Sequence, residues 1–154
     1  MMCAMSSPTH PQTPFEARDE TWSLALRHIT QPKSANHQGS IFGGVILSMI
    51  DEATYVEARR HGVHRWLTVS IERVEFQHPV WMGDMLTCWT KVARFGTTSI
   101  TVNVRVEAER FSTADVINVT TATVTMVSTN AAGKPIPFRS PPSMPIATAF
   151  GLQS

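Results

Sequence analysis

Cysteine is scarce in this chain of 154 residues, and its two copies, Cys3 and Cys88, lie far apart in the sequence. They provide neither a disulfide framework nor a CxxC metal pair. No apolar run approaches the roughly 20 residues that a membrane-spanning helix needs, and the first five residues are too short for a signal peptide and lack its basic flank. We therefore expect a cytoplasmic protein with no membrane partner, in which Cys88 is a small core or sheet residue.

Strong net charge and several familiar catalytic motifs are also missing. The net charge is only +1, so no broad electrostatic field points to a nucleic-acid partner. The sequence contains no Gly-x-Ser-x-Gly elbow and no Walker loop, and its six histidines include no i, i+4 pair with a third acidic ligand. These absences leave the serine-hydrolase, nucleotide-hydrolase and zinc-enzyme classes without support.

The length and composition fit one globular domain between two polar ends. Hydrophobic residues make up 42% of the chain and charged residues 16%, and a chain of this length can bury one sizeable core. Residues 1–19 are rich in Ser, Thr, Pro and Gln and predict a disordered leader. The Pro-rich residues 139–154 predict a C-terminal tail, so the folded domain is expected to span residues 20–138.

One long helix is predicted near the start of this domain. An alternating segment at residues 22–28 predicts a first strand, and the polar residues 31–42 predict a loop. The helix then runs from about Gly43 to Arg60, with a basic last turn and Gly62 placed to follow it. Because its first two turns are apolar on most faces, the helix should be wrapped by a sheet rather than packed along one side.

After the helix the hydrophobic pattern changes to a period of two. Residues 67–76 alternate, and three longer β-rich runs follow at about 84–94, 97–110 and 115–129. Their connectors are short, so these runs should pair as antiparallel hairpins. The order predicts an α+β fold with a curved antiparallel sheet around the helix. One five-stranded sheet cannot cover the whole helix, and the remaining open surface favours a homodimer.

Asp51 is the most informative residue in the predicted helix, since it lies among aliphatic neighbours. A buried carboxylate costs several kcal/mol unless it is paired, hydrogen-bonded or neutralised. An acid kept at such a place can serve catalysis. The spacing alone leaves a structural role equally open, in which Asp51 bonds to Ser48, Thr54 or a neighbouring strand.

Gly43 and Gly44 lie where the helix would begin. The first backbone N–H groups of a helix have no intrahelical acceptor and attract carbonyl oxygens and anions. The pair could equally form a tight turn or a close packing contact. Asn36, in the preceding loop, could orient a substrate or water, or could hold the loop through its own hydrogen bonds.

A second polar segment lies between two predicted strands, at residues 94–99 (RFGTTS). Its hydroxyl groups and single cation could bind a phosphate or a pantetheine amide. The same residues would also suit an ordinary hairpin turn.

Several of these segments together resemble the hotdog-fold acyl-CoA thioesterases of the YciA type. The resemblance covers roughly residues 20–138, and motifs in one consistent order are more specific than any one of them. The matching segments are residues 35–44 (ANHQGSIFGG), 48–51 (SMID), 76–80 (FQHPV), 83–84 (GD) and 95–99 (FGTTS).

The resemblance implies a hotdog fold, active sites at a homodimer interface, and assembly that often continues to hexamers as trimers of dimers. It implies hydrolysis of acyl-CoA thioesters without a metal or other cofactor, coenzyme A being part of the substrate. Asp51 falls at the family's catalytic carboxylate, and Gly43 and Gly44 fall where a backbone amide polarises the thioester carbonyl. Asn36 falls at the loop amide, and Thr68 at a strand hydroxyl that positions water. The segment expected to face the CoA arm comprises Arg94, Gly96, Thr97, Thr98 and Ser99.

We therefore predict an acyl-CoA thioester hydrolase in which Asp51 acts as general base or as nucleophile. Two other classes stay open at this point. A hotdog hydratase or dehydratase would need a His paired with an acid, and no His follows Asp51 at short spacing within the helix. A non-catalytic acyl-CoA-binding module would have no reason to keep the acid. The sequence does not fix the acyl chain.

Overall fold

A computed structural model describes residues 21–143, so the predicted leader at residues 1–19 and most of the predicted tail lie outside the described residues. One long helix, α1, and five strands make up this part of the chain. A short 3-10 turn, Pro32–Ser34, lies in the loop before α1. The bounds are β1 Ser23–Ile29, α1 Gly43–His61, β2 Arg65–Glu72, β3 Met85–Phe95, β4 Ser99–Glu109 and β5 Val116–Thr129.

The five strands form one antiparallel sheet in the order β1-β3-β4-β5-β2. The predicted hairpins β3–β4 and β4–β5 are confirmed and form the middle of the sheet. β1 and β2 each have one free edge within the described chain. This arrangement confirms the α+β class and places the two strands nearest the helix termini in sequence, β1 and β2, at opposite edges.

The core lies between α1 and the concave face of the sheet. Alternate residues of β4 are buried, as a strand with one face on a core requires. Helix residues Ile46, Ile50 and Ala53 are buried against this face. The opposite side of α1 keeps Leu47 and Tyr55 exposed, so one sheet covers only part of the helix, as expected.

Two predicted boundaries change in the structure. The run at residues 67–76 was predicted to be one strand, but β2 ends at Glu72. Arg73 adopts a left-handed backbone with φ of 57°, which turns the chain out of the ladder. Gly62 follows the helix as predicted, but its backbone is extended. Glycine is needed there because a Cβ atom would lie 2.4 Å from the Phe138 carbonyl oxygen.

The segment after β5 packs back onto the end of α1. The backbone N–H of Phe138 donates to the Thr97 carbonyl, and that of Ile136 donates to Ser128. The buried His64 bonds to the Phe138 carbonyl through Nε2 and to the Ser143 hydroxyl through Nδ1, at 2.9 Å each. Ordered packing therefore continues past residue 138 to Ser143.

None of the helices within residues 21–143 combines the length and apolar character needed to cross a bilayer.

Candidate active site

Asp51 and Thr68 meet at the wall of a cavity of about 540 Å³. The Thr68 hydroxyl donates a short hydrogen bond to Asp51 Oδ1. The two residues come from α1 and β2, which run side by side, so the contact depends on the antiparallel pairing of β2 with β5. Besides these two, the lining residues are Leu26, Glu52, Tyr55, Val56, Trp66, Leu67 and Met126.

The surroundings of Asp51 differ from the expectation of a carboxylate enclosed by aliphatic side chains. Asp51 is half-buried and borders an open cavity. The helical period explains this. Ile50 and Ala53 are buried against the middle of the sheet, while Asp51 faces the edge strand β2. The carboxylate thus keeps one oxygen on a hydroxyl and access to the cavity, an arrangement that suits reaction with a ligand.

The two glycines lie at the first turn of α1, as predicted. Phe42 precedes the helix with extended backbone, and its ring lies over Gly44, where a Cβ atom would approach to 2.5 Å. The ring of Phe76 lies beside Gly43, and a Cβ atom at Gly43 would lie 3.5 Å from it. Glycine at position 44 therefore lets the Phe42 ring lie against the N-terminal backbone of the helix, whereas the space beside Gly43 would accept a Cβ atom.

Asn36 organises the loop before the helix. Its side-chain oxygen accepts the backbone N–H groups of Gln38, at 2.8 Å, and Ser40, at 3.3 Å. Its amide nitrogen donates to the Ser40 hydroxyl at 2.9 Å. These bonds correspond to the loop-holding alternative, so Asn36 shapes the approach to Gly43.

The segment at residues 94–99 comprises the end of β3, the turn at residues 96–98 and the first residue of β4. Gly96 donates its N–H to the Ser99 carbonyl at 2.8 Å, and a Cβ atom at Gly96 would lie 2.4 Å from the Ser99 hydroxyl. Thr98 accepts the Ser128 N–H through its carbonyl, and Arg94 is exposed. The turn is thus held by its backbone.

The predicted site residues form three separate groups in one chain. The contact of Asp51 with Thr68 of β2 lies beside the middle of α1, while Gly43, Gly44 and Asn36 lie at the N-terminal end of the helix. Asp51 follows Gly43 by eight positions along the helix, a rise of about 12 Å. The β3–β4 turn lies at the other end of α1, where Phe95 packs on His61 with ring centroids 5.0 Å apart.

Glu57 is a buried acid that the sequence analysis did not identify. Its carboxylate receives hydrogen bonds from Arg60 at 2.7 Å, His61 at 3.0 Å and Thr90 at 2.8 Å. Burial alone would raise the pKa of Glu57, but the bonds from His61, Thr90 and Arg60 outweigh it and lower the pKa below 4.5. The i+3 and i+4 spacing of Arg60 and His61 is the sequence signal that could have revealed this network.

Replacing Glu57 by Gln is expected to lower stability at neutral pH and to flatten its acid dependence. Because the folded pKa is lowered, the stabilisation is complete above the ordinary value of 4.5 and is lost as pH falls through the folded pKa. Urea unfolding should place the variant about 1.5–3 kcal/mol below the wild type at pH 7, with the gap closing below pH 4.5. A gap that persists unchanged at low pH would contradict the role of the ionised carboxylate.

Cys88 does not line this cavity. It is fully buried in β3, as predicted for a sheet residue, and burial, with the Glu52 charge, raises its pKa to about 12. Within residues 21–143, no three His, Cys, Asp or Glu side chains gather into a potential metal site.

Comparison with known proteins places this geometry in a family. The sequence model of the thioesterase superfamily matches residues 38–111. The acyl-CoA thioester hydrolase YciA of Salmonella typhimurium is 32% identical over 118 residues, which cover 75% of this chain and 89% of that protein.

Two solved structures share the fold. A hexameric hotdog-fold thioesterase of Campylobacter jejuni has a TM-score of 0.71 at 42% identity, over 75% of this chain and 89% of that one. The Asp-to-Ala mutant of a hexameric broad-specificity acyl-coenzyme A thioesterase has a TM-score of 0.74 at 26% identity, over 84% and 96% of the two chains. The chain therefore belongs to the thioesterase superfamily, among the hotdog-fold acyl-CoA thioester hydrolases of the YciA type.

Proposed function

We propose that this protein hydrolyses the thioester of acyl-CoA to a free acid and CoA, with Asp51 as the catalytic carboxylate. The observation that carries the proposal is the contact of Asp51 with Thr68 at the wall of an open cavity. Family membership supplies the reaction class. One relative with this fold was solved as an Asp-to-Ala mutant, which agrees with a functional acid in that enzyme.

The backbone amide of Gly44, or of Gly43, would stabilise the oxyanion that develops on the thioester carbonyl. N–H groups in the first turn of a helix lack intrahelical acceptors, and the helix dipole adds to their attraction for negative charge. One donor of this kind contributes about 3–4 kcal/mol in comparable enzymes. Asn36 supports this role by fixing the loop that leads to Gly43.

Asp51 would act either as general base on a water molecule or as nucleophile on the carbonyl carbon. In the first route, water adds and the thiolate of CoA leaves. In the second, a mixed anhydride of Asp51 forms as CoA leaves, and water then cleaves it. In a single turnover in 18O-labelled water, label found in the Asp51 carboxylate identifies the anhydride route with attack of water on the Asp51 carbonyl, because general-base catalysis places the label only in the released acid.

Thr68 would hold Asp51 in its reactive orientation. Replacing Thr68 by Val removes the donor and keeps the shape, so kcat should fall about tenfold, as expected for loss of a hydrogen bond to a charged group. Replacing Thr68 by Ser keeps the hydroxyl and should retain most of the activity. Equal kcat values for the Val and Ser variants in a thiol-release assay would remove Thr68 from the mechanism.

The complete site would require a second copy of the chain. Gly43 and Asp51 are about 12 Å apart along α1, so a partner's helix start could meet this chain's Asp51. The free edge strand β2 exposes Leu67, Val69 and Ile71 beside that residue, an apolar stripe suited to an interface. Since both similar structures above are hexameric, we propose that homodimers with shared sites assemble further into hexamers.

The β3–β4 turn would contact the CoA arm. Arg94 is exposed and contributes a positive charge. The turn segment Gly96, Thr97, Thr98 and Ser99 contributes hydroxyl and backbone groups suited to phosphate oxygens or pantetheine amides.

Release of free thiol from acetyl-, hexanoyl-, palmitoyl- and aromatic CoA esters tests the proposed function and also sets the acyl preference. A hydrolase releases CoA and the acid in equal amounts from at least one ester. A binding module releases none, and a hydratase changes an enoyl ester without releasing thiol. In the described part of one chain, no histidine lines the Asp51 cavity, which favours the hydrolase over the hydratase.

A further inference from the structure

Three long stretches of the sequence contain no acidic residue, and their described parts meet at one end of α1. Neither residues 85–106 nor residues 116–154 contain an Asp or Glu, and the same holds for residues 58–71. These stretches supply the last turn of α1, the start of β2, the β3–β4 turn and the segment after β5. The Arg and Lys residues considered at this end are Arg59, Arg60, Arg65, Arg94, Lys134 and Arg139.

Glu57 is the nearest acid along α1, and its carboxylate is already bonded to Arg60 and His61. The remaining positive charges of this end therefore face no compensating carboxylate from the stretches that build it. A surface that concentrates one sign of charge attracts a multiply charged ligand of the opposite sign. The end of the molecule is suited to a polyanion.

Arg139 is the cation at this end with the most defined geometry. Its guanidinium carbon lies 5.0 Å from the ring centroid of Phe138 and 5.8 Å from that of Phe95. The backbone of Phe138 is fixed on both sides, since its N–H donates to Thr97 and its carbonyl accepts from His64. No carboxylate within residues 21–143 forms an ion pair with Arg139, which is exposed. The guanidinium is therefore held in place while its N–H donors stay open to a ligand.

A continuous row of side chains joins Arg139 to the Asp51 cavity. Phe138 packs on Trp66 with ring centroids 5.9 Å apart, and Trp66 lines the cavity together with Asp51. Trp66 lies two residues before Thr68, which places both on one face of β2. A ligand with its reacting carbon at Asp51 and an extended arm would run along this row toward Arg139.

We propose that Arg139 binds the phosphates of the nucleotide end of CoA, as a binding residue beyond the β3–β4 turn. This inference rests on the proposed function for the identity of the ligand. A planar guanidinium presents paired N–H donors that match phosphate oxygens, and its stacking on two rings reduces the freedom lost on binding. Arg139 is remote from the thioester, so it contributes to substrate affinity and leaves the chemical step unchanged.

The test compares two hexanoyl thioesters, one of CoA and one of pantetheine, which lacks the nucleotide. Arg139→Gln should raise KM for hexanoyl-CoA about tenfold, equivalent to about 1.4 kcal/mol, with kcat within about twofold. KM for hexanoyl-pantetheine should not change. Arg139→Lys, which keeps the charge but loses the fork and the stacking, should give an intermediate KM.

Lys33→Gln serves as the control, because it removes one exposed positive charge from the loop before α1, outside this end. It should change KM for hexanoyl-CoA less than twofold. An equal rise for Lys33→Gln and Arg139→Gln, or an equal rise of Arg139→Gln for both esters, would overturn the assignment.

Calorimetric titration with free CoA separates this inference from the proposed function. A Kd about tenfold weaker for Arg139→Gln than for wild type supports the nucleotide contact even if no ester is cleaved. An unchanged Kd contradicts the contact even if hydrolysis proceeds normally. Failure of the wild type to cleave any ester would count against the proposed function alone.

Discussion

Replacing Asp51 by Asn is expected to lower kcat for acyl-CoA hydrolysis by about 10²- to 10⁴-fold, the range for loss of a positioned acid or base. The amide can still accept the Thr68 hydrogen bond through its oxygen, so the contact between α1 and β2 should persist. It can neither take a proton from water nor attack the carbonyl as a carboxylate can. Steady-state thiol release from the best ester of the wild type measures this effect.

Glu52 provides a matched control for Asp51. It is the next residue of α1, carries the same charge, is exposed and also borders the cavity. Glu52→Gln should keep kcat within about threefold, because removal of a neighbouring exposed charge is screened by solvent. Comparable losses in the two variants would mean that negative charge near the cavity, rather than the Asp51 carboxylate itself, supports turnover. Circular dichroism and the elution volume on gel filtration should be the same for both variants and the wild type.

Replacing Asp84 by Ala is expected to cause the largest loss of stability, about 3 kcal/mol. The Asp84 side chain is only 3% exposed and accepts a 2.6 Å bond from Arg110. It also accepts the backbone N–H groups of Trp81 at 2.9 Å and Phe111 at 3.3 Å. Its removal leaves a largely buried guanidinium and two amides unpaired, so Tm at fixed protein concentration should fall by roughly 10 °C.

The same substitution should also weaken activity, because Trp81 connects this corner to the loop before α1. Ser40 pairs with Trp81, and the Ile41 N–H donates to the Val80 carbonyl at 2.8 Å.

Asp115→Asn is the control for the loss of stability, since Asp115 is exposed in the neighbouring turn. Removing its charge should lower the stability by less than about 0.5 kcal/mol. A change of 1 kcal/mol in stability shifts Tm by roughly 2–4 °C. If the Tm of Asp84→Ala lay within 2 °C of the Tm of Asp115→Asn, the Asp84–Arg110 ion pair would not be needed for stability.

The helix and the central hairpins could be predicted because their signals are local. The apolar run from Gly43 and the period-two runs with short connectors each determine structure over neighbouring residues. The end of β2 could not be predicted in this way. Residues 73–76 continue the alternation, and the left-handed backbone of Arg73 reflects the path that the chain must take toward Val80 and β3.

The sequence pointed to two residues that the structure places in contact, but not to their surroundings. The resemblance named Asp51 and Thr68, and the structure brings them together. The half-buried state of Asp51 depends on which helix face the sheet leaves open, and a helical run apolar on most faces does not specify that. The fixed position of Phe138 depends on contacts with Thr97 and His64, which lie far away in the sequence and carry no local signal.

The most direct test of the central claim is a single turnover with the protein in excess over a hexanoyl or acetyl ester of CoA. Under this condition product release cannot limit the observed rate. We predict that the wild type converts all of the ester to CoA and acid in equal amounts, and that Asp51→Asn does so at least about 100 times more slowly. A wild type that binds the ester and leaves it intact, or an Asp51→Asn variant that cleaves it at the wild-type rate, would contradict the account.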